Sequence, residues 1–317
     1  MHENSKKELS ASAPRVSVII STFMRAALVG RCLDSLIAQT FKNFEVLVCD
    51  DGSTDDTAAV VHRYEGMLDL SYHWGKNFGG PARARNTGLR HARGEYVAFL
   101  DVDDWWAPRK LERSVAALDA GADIVYHDLY MARSSRNGWR LRRARTRPVV
   151  SPAFKCLIDR GNSLSNSSVV VRRKLLLDIG GLSEDPGLIA WEDYDCWLRL
   201  AKVTERFTRL PEPLGWYWVG GGNLTSPTRT IRNLERMRDT HLRPAGRGGD
   251  DELPGWYHYG MGRAHYHLRA CVASGRHMWR AVRSRLPAGT RMVAVITLGQ
   301  CLMRAGVARM GSSNTDR

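Results

Sequence analysis

Asp101 and Asp103 stand one residue apart, directly after the apolar run Tyr96-Val97-Ala98-Phe99-Leu100. Two carboxylates so spaced on a turn can both approach one divalent cation, and hard oxygen ligands suit Mg²⁺ or Mn²⁺. The same pair also reads as a solvated acidic turn ahead of a helix. Asp50-Asp51-Gly52-Ser53-Thr54 has two readings as well. One is an Asp-Gly turn with Ser53 or Thr54 as helix N-cap. The other is a carboxylate that accepts from a nucleobase N–H. Arg83 and Arg85 follow Gly79-Gly80-Pro81, where a helix start can sit near phosphate or simply display exposed arginines. In Trp191-Glu192-Asp193, acids at a helix start suit the helix dipole, and one of them could equally serve as a general base.

These residues need elements to position them. The β-branched run Val16–Ile20 predicts a buried strand, and 25–40 carries helical spacing through Leu28, Cys32, Leu36 and Ile37. A second strand is expected over Phe44–Cys49, a helix over Thr54–Tyr64, a strand over Leu70–His73, a helix over Pro81–Ala92 and a strand over Tyr96–Leu100. Alternating strands and helices predict an α/β fold with a mostly parallel central sheet flanked by helices. Ligands bind such sheets outside the carboxyl ends of the strands. Ser21-Thr22, Asp50-Asp51 and Asp101-Val102-Asp103 fall at three such ends. Past residue 110 the rhythm loosens, with strands expected at Ala122–Tyr126 and Ser168–Arg172 and helices at Leu111–Leu118, Lys174–Ile179 and Tyr194–Ala201. After Pro227 the chain reads as mostly helical, with a hairpin of Gly255–Ala273 and His277–Leu286 joined at Ser274-Gly275.

A content of 43% hydrophobic residues supports a real core, and 47 Lys and Arg against 33 Asp and Glu give a formal charge of +14. Such a chain is drawn to something acidic: nucleic acid, anionic lipid, phosphorylated substrate or charged glycan. The six cysteines show no metal-clip or redox spacing, which favours a reducing compartment. The polar first residues show no signal peptide, and Met292–Met303 is too short an apolar stretch to span a bilayer. The expectation is a cytoplasmic protein, with peripheral contact at the inner face of an anionic membrane left open.

Four ordered stretches resemble the family 2 glycosyltransferases, the inverting GT-A type. They are VSVIISTFMRAALVGRCLDSLIAQTFKNFEVLVCDDGSTDDT (16–57), GGPARARNTGLRHARGEYVAFLDVDDWW (79–106), SNSSVVVRRKLLLDIGGLSED (165–185) and WEDYDCWLRLA (191–201). The resemblance implies a nucleotide-diphospho-sugar transferase fold over 15–225, nucleotide-sugar binding over 15–110 and an acceptor side over 111–225. A polar tail (1–14) precedes it and a helical C-terminal extension (226–317) follows. Thr22 and Asp51, with Asp50, would hold the nucleobase. Arg85, with Arg83 second, would lie near the base or the phosphates. Asp101 would contact the ribose or the metal side, and Asp103 would be the main ligand of Mn²⁺ or Mg²⁺ bridging the diphosphate. Asp193 would be the general base beside Glu192. Pro81 and Leu182 depart from common residues of the family, but every carboxylate the chemistry needs is present.

The implied function is transfer of a sugar from a nucleotide-diphosphate donor, UDP favoured, to a hydroxyl of a glycan or lipid-linked acceptor. Polysaccharide or cell-envelope glycan assembly is the natural setting, and nucleic acid is not an expected partner. Two rival readings remain. A sugar-1-phosphate nucleotidyltransferase should carry a glycine-rich basic loop after the first strand, where this chain has Ser21–Arg25. A non-catalytic basic nucleic-acid or membrane binder would explain the charge but not acids at three strand ends.

Other signals stay open. Trp105 and Trp106 either pack the turn or stack on a sugar. Arg133–Arg147 carries seven arginines and no acid, as a solvated loop or a surface for an anionic acceptor or membrane. Residues 276–309 read as a helix packed on the catalytic domain or lying in the plane of a membrane. His258, His265 and His267 read as ordinary core or surface histidines, and Asn223-Leu224-Thr225 fits a glycosylation sequon that a cytosolic chain would not use.

Overall fold

A computed structural model describes residues 13–133, 142–221, 225–247, 249 and 252–312, with side chains through 304. Residues 1–12 of the expected 1–14 tail, residues 134–141 of the arginine-rich stretch and Asn223-Leu224 of the sequon lie outside the described residues. The chain divides into two compact units. One comprises residues 1–153 and 162–223; the other comprises 154–161 and 224–317.

The first unit is built on one sheet. Strands β1 (Val16–Thr22), β2 (Phe44–Asp50), β3 (Leu70–Trp74) and β4 (Tyr96–Asp101) run parallel in the order β3-β2-β1-β4. Helices α1 (Ala26–Ile37), α2 (Thr57–His62) and α3 (Pro81–His91) connect them. The short β5 (Trp105–Trp106), α4 (Lys110–Asp119), β6 (Ile124–Ala132) and β7 (Arg142–Ala144) follow. The sheet continues through the antiparallel β8 (Val170–Arg172) to β6, β9 (Phe207–Trp218) and β5. Parallel pairing returns between β6 and β9, and β7 pairs antiparallel with β6.

Every residue of β1 and β2 is buried, because the sheet is covered on both faces. Val16, Val18 and Ile20 point into a core shared with Val29, Leu33 and Leu36 of α1. Ile19 points the other way, toward α3, where a Cβ on Gly88 would stand 2.6 Å from its side chain. Only glycine lets α3 approach that closely. Helices α6 (Arg173–Asp178) and α7 (Glu192–Leu200) complete this unit.

Helix α2 begins later than the sequence suggests, and neither Ser53 nor Thr54 caps it. Ser53 Oγ instead accepts from Met24 N–H at 2.7 Å, and Asp55 accepts from the Thr57 and Ala26 N–H groups.

The second unit contains α5 (Ala153–Arg160) from residue 154 onward, α8 (Pro227–Met237), α9 (Gly255–His267), α10 (Cys271–Arg283) and α11 (Ala288–Ser312). The turn between α9 and α10 falls at 268–270, where Arg269 has φ +59°, not at Ser274-Gly275. Ser274 is buried inside α10, and its hydroxyl donates to Gly262 O across 2.8 Å. Ring stacking joins His265 to His277, and His258 Nδ1 lies 3.1 Å from His277 Nδ1. His267 contacts Arg263 instead, so the three histidines do not form a metal cluster.

Candidate active site

The sheet register aligns the polar strand ends. Thr22 pairs with Asp50 and Ser21 pairs with Asp101, so β1, β2 and β4 deliver their last residues side by side. Asp51 follows immediately, with its N–H donating to Thr22 O at 2.9 Å.

The two carboxylates after β2 do different work. Asp50 accepts from Ser53 N–H (2.7 Å) and Tyr72 Oη (2.6 Å), which ties the turn to β3. Asp51 accepts from Phe78 N–H at 2.8 Å and Gly79 N–H at 3.1 Å, closing the loop ahead of α3. Burial pushes the Asp51 carboxyl up, and those N–H groups restrain the shift. The Thr22 hydroxyl is buried with no hydrogen-bond partner among the described residues, beside both acids.

Arg85 is 4% exposed, and its guanidinium joins two carboxylates. Nη1 donates to Glu192 Oε1 at 2.5 Å and Nη2 to Asp101 Oδ1 at 2.6 Å. Burial disfavours its charge, but Asp101 and Glu192 more than reverse that. The sequence places this arginine near base or phosphate; its contacts in the structure are these two acids. Arg83 stacks on the Phe78 ring at 4.0 Å and pairs with Glu184.

Asp193 opens α7, half-buried, with Tyr194 N–H donating to it at 2.6 Å. Burial and then the charge of Glu192 push its carboxyl up to about 7, against the pull of Arg85. Such a group exchanges a proton near neutral pH, as a general base must. Glu192 Oε2 is buried without a partner among the described residues. Ala190, just before this segment, holds φ +70°, a strained conformation for a non-glycine residue and one that concentrates at functional sites.

Four residues reach this cluster to which the sequence assigned no role, although Arg31, Asn166 and Ser167 lie within the stretches that carry the resemblance. Asn166 Nδ2 donates to Asp101 Oδ1 (2.9 Å), and the Ser167 hydroxyl accepts from Asp101 N–H (3.1 Å). Arg31 lies 3.9 Å over the Trp105 ring and 4.9 Å from that of Trp218, and donates to Asp103 O at 2.8 Å. The fourth is Tyr217, whose hydroxyl pKa is raised by burial and then by the charges of Asp104, Asp101 and Asp103. Both tryptophans after Asp104 are packed. Trp106 donates to Ser167 O at 2.7 Å, and Trp105 stacks on Trp216.

The carboxylate of Asp103 accepts no hydrogen bond from another described residue. Burial and the charge of Asp101 push it up to about 6, so a cation beside it would relieve real repulsion. Among the described residues no three His, Cys, Asp or Glu side chains converge on one metal position. The residues therefore fit a hard divalent ion that takes one or two carboxylates here and its other ligands from phosphate and water.

Against known proteins, the family model described as glycosyl transferase family 2 matches residues 17–178. An Escherichia coli protein named UDP-Glc:alpha-D-GlcNAc-diphosphoundecaprenol beta-1,3-glucosyltransferase WfaP is 35% identical over 102 residues, 32% of this chain and 39% of that protein. The chain spans only 19% of the length of the first curated relatives it matches. S. aureus TarS 1-349 in complex with UDP superposes with a TM-score of 0.57 at 21% identity, covering 90% of this chain and 88% of that one. Mannosyltransferase PcManGT from Pyrobaculum calidifontis, in complex with GDP-Man and Mn²⁺, gives 0.56 at 22% identity, with 95% and 88% covered. At these identities the two structures establish the GT-A fold and nothing further.

Proposed function

The chain belongs to glycosyl transferase family 2, and from that premise we propose that it is an inverting, metal-dependent glycosyltransferase. It takes a sugar from a nucleoside-diphosphate donor, UDP favoured, and passes it to a hydroxyl of a glycan or lipid-linked acceptor in polysaccharide or cell-envelope synthesis. The carrying observation is Asp193, a carboxyl poised near neutral pH in an acid cluster braced by Arg85.

In this reading, Asp193 takes the proton of the acceptor hydroxyl. That oxygen bonds to the anomeric carbon while the bond from carbon to the diphosphate oxygen breaks, inverting the carbon. Thr22, with its unpartnered hydroxyl, and Asp51 face the nucleobase, and Asp50 holds their turn. Arg85 acts by position, fixing Asp101 toward the ribose and Glu192 beside the base. Asp103, with Asp101 next to it, would hold Mn²⁺ or Mg²⁺, which when bound neutralises charge on the departing diphosphate. Support for a UDP donor comes from the UDP bound to TarS and the UDP-Glc in the WfaP name; support for a metal comes from the Mn²⁺ of PcManGT. The WfaP name also contains a lipid-linked diphosphate acceptor, which fits a cytoplasmic enzyme working at the inner face of a membrane.

The test is thermal stabilisation by UDP, GDP, CMP and TDP, each with and without Mn²⁺, on wild type and Asp103→Asn. A ligand that binds the native state raises the melting temperature. One nucleotide should stabilise in a metal-dependent way that Asp103→Asn abolishes. If none stabilises in either condition, the transferase reading fails.

A further inference from the structure

Residues 253–315 contain nine arginines, no lysine and no acid. Arg276, Arg280 and Arg283 fall at i, i+4 and i+7 of α10 and so share one face. They line a cavity of about 700 Å³ together with His258, Trp279 and Ser284, all from the second unit. The Arg283 guanidinium lies 5.4 Å from the centre of the Trp279 ring, and Trp279 is itself 54% exposed. The opposite face of α10 is spent on packing, with Met278 and Ala281 buried against Ala294 of α11. An arginine-lined cavity beside an exposed indole is built for a phosphate group attached to something apolar.

Helix α11 supplies the apolar part. Met292, Val295, Ile296, Leu302 and Met303 are all at least half exposed and recur at helical spacing on one face. Arg291 and Arg304 flank that face on either side of the helix wheel. Among the described residues no helix is long and apolar enough to cross a membrane. An exposed apolar face with arginines at its margins instead suits a helix lying in the plane of a bilayer.

We propose that the second unit is a docking module for an anionic bilayer, with a lipid phosphate seated in the α10 cavity and the apolar face of α11 in the acyl boundary. This deepens the peripheral-membrane part of the functional reading and rests on it. It does not depend on donor, metal or catalysis, so either can fail alone. Charge complementarity selects the occupant: residues 253–304, with eight arginines and no acid, suit anionic headgroups, and each arginine near such a surface strengthens binding about fivefold.

The experiment is flotation of the full chain, without nucleotide, on vesicles of phosphatidylcholine with and without phosphatidylglycerol. Binding should require phosphatidylglycerol. The triple change Arg276→Gln, Arg280→Gln, Arg283→Gln should weaken it roughly a hundredfold. Ile296→Asp should also weaken it, and since Ile296 is 53% exposed that variant should melt like wild type. Nucleotide stabilisation should persist in both variants. Equal binding to neutral vesicles, or anionic binding that survives both variants, overturns the proposal. Stabilisation by soluble pyrophosphate that the triple change removes, with no vesicle binding, reassigns the cavity to a soluble anion. Self-association abolished by Ile296→Asp, with no vesicle binding, reassigns the α11 face to a second copy of the chain.

Discussion

Arg85 and Glu192 lie 107 positions apart in sequence and meet through a 2.5 Å hydrogen bond in a buried site. The other end of the guanidinium reaches Asp101 at 2.6 Å, so one side chain ties the end of β4 to the start of α7. Lysine cannot serve both acids, because it carries a point charge rather than a planar fork. Arg85→Lys should therefore lower kcat more than it raises donor KM. Arg85→Met leaves the buried Glu192 and the half-buried Asp101 without their counter-charge and should cost about 3–5 kcal/mol of stability by denaturant titration. A stability within 1 kcal/mol of wild type would refute the bridge, against that same expected range.

Asp193→Asn should abolish transfer while leaving metal-dependent nucleotide stabilisation intact. In wild type, kcat/KM should rise with pH, pass half its maximum about pH 7 and level off above that, because a base must be deprotonated. Stability should move the other way. The folded carboxyl holds its proton up to about 7, whereas an unfolded aspartate releases it near ~3.9. Between those values the folded chain binds more protons, so the stabilisation present at low pH is lost as pH rises. The asparagine variant should thus melt above wild type at pH 8, with the gap closing toward pH 4. A flat activity profile through pH 6–8 would remove Asp193 as the base.

Much of this site is legible in sequence because strand ends are. The middle of a buried parallel strand is a run of apolar residues, so the polar residues that close that run mark its carboxyl end: Thr22, Asp50 and Asp101. The acids of α7 announce themselves by clustering at a helix start. Asn166, Ser167 and Arg31 give no such signal. Each reaches its partner across 65 to 72 residues, and a buried side chain that completes a distant acid carries no local periodicity. The misplaced α9–α10 turn has the same origin. Ser274-Gly275 reads as a breaker, but Ser274 satisfies its hydroxyl on Gly262 O, and Gly275 sits inside α10 in ordinary contact with α11, where a Cβ would lie 3.9 Å from both Leu298 and Cys301.

Asn86 links α3 to the glycine turn after α6. Its Nδ2 donates to Leu182 O and its Oδ1 accepts from Leu182 N–H, both at 2.9 Å. Gly181 has φ +75°, and a Cβ there would stand 2.6 Å from Asn86 Oδ1. Gly181→Ala meets both the strained backbone and the clash, and should cost about 1–3 kcal/mol. Gly180→Ala is a control, since Gly180 has a similar φ of +77° but open space at its Cβ. If the two alanine variants melt together, the Asn86 contact contributes nothing beyond backbone strain.

Lys110 is fully buried on α4, its Nζ 3.5 Å from the centre of the Trp106 ring and without a hydrogen-bond partner among the described residues. Burial pushes its pKa well below that of a free lysine. The neighbouring His127 is driven down to about 3, by burial first and then by Lys110. An unpartnered buried amine is a cost, so Lys110→Met, which preserves volume, should stabilise the chain by about 1–3 kcal/mol. The pH dependence distinguishes the cause. Between the depressed folded pKa and the unfolded value near ~10.4, the unfolded chain binds the extra proton, so wild-type stability rises with pH. Methionine removes that slope, and its advantage should be larger at pH 7 than at pH 10. If Lys110→Met instead melts below wild type at pH 7, the amine is charged there and the face of Trp106 is holding it.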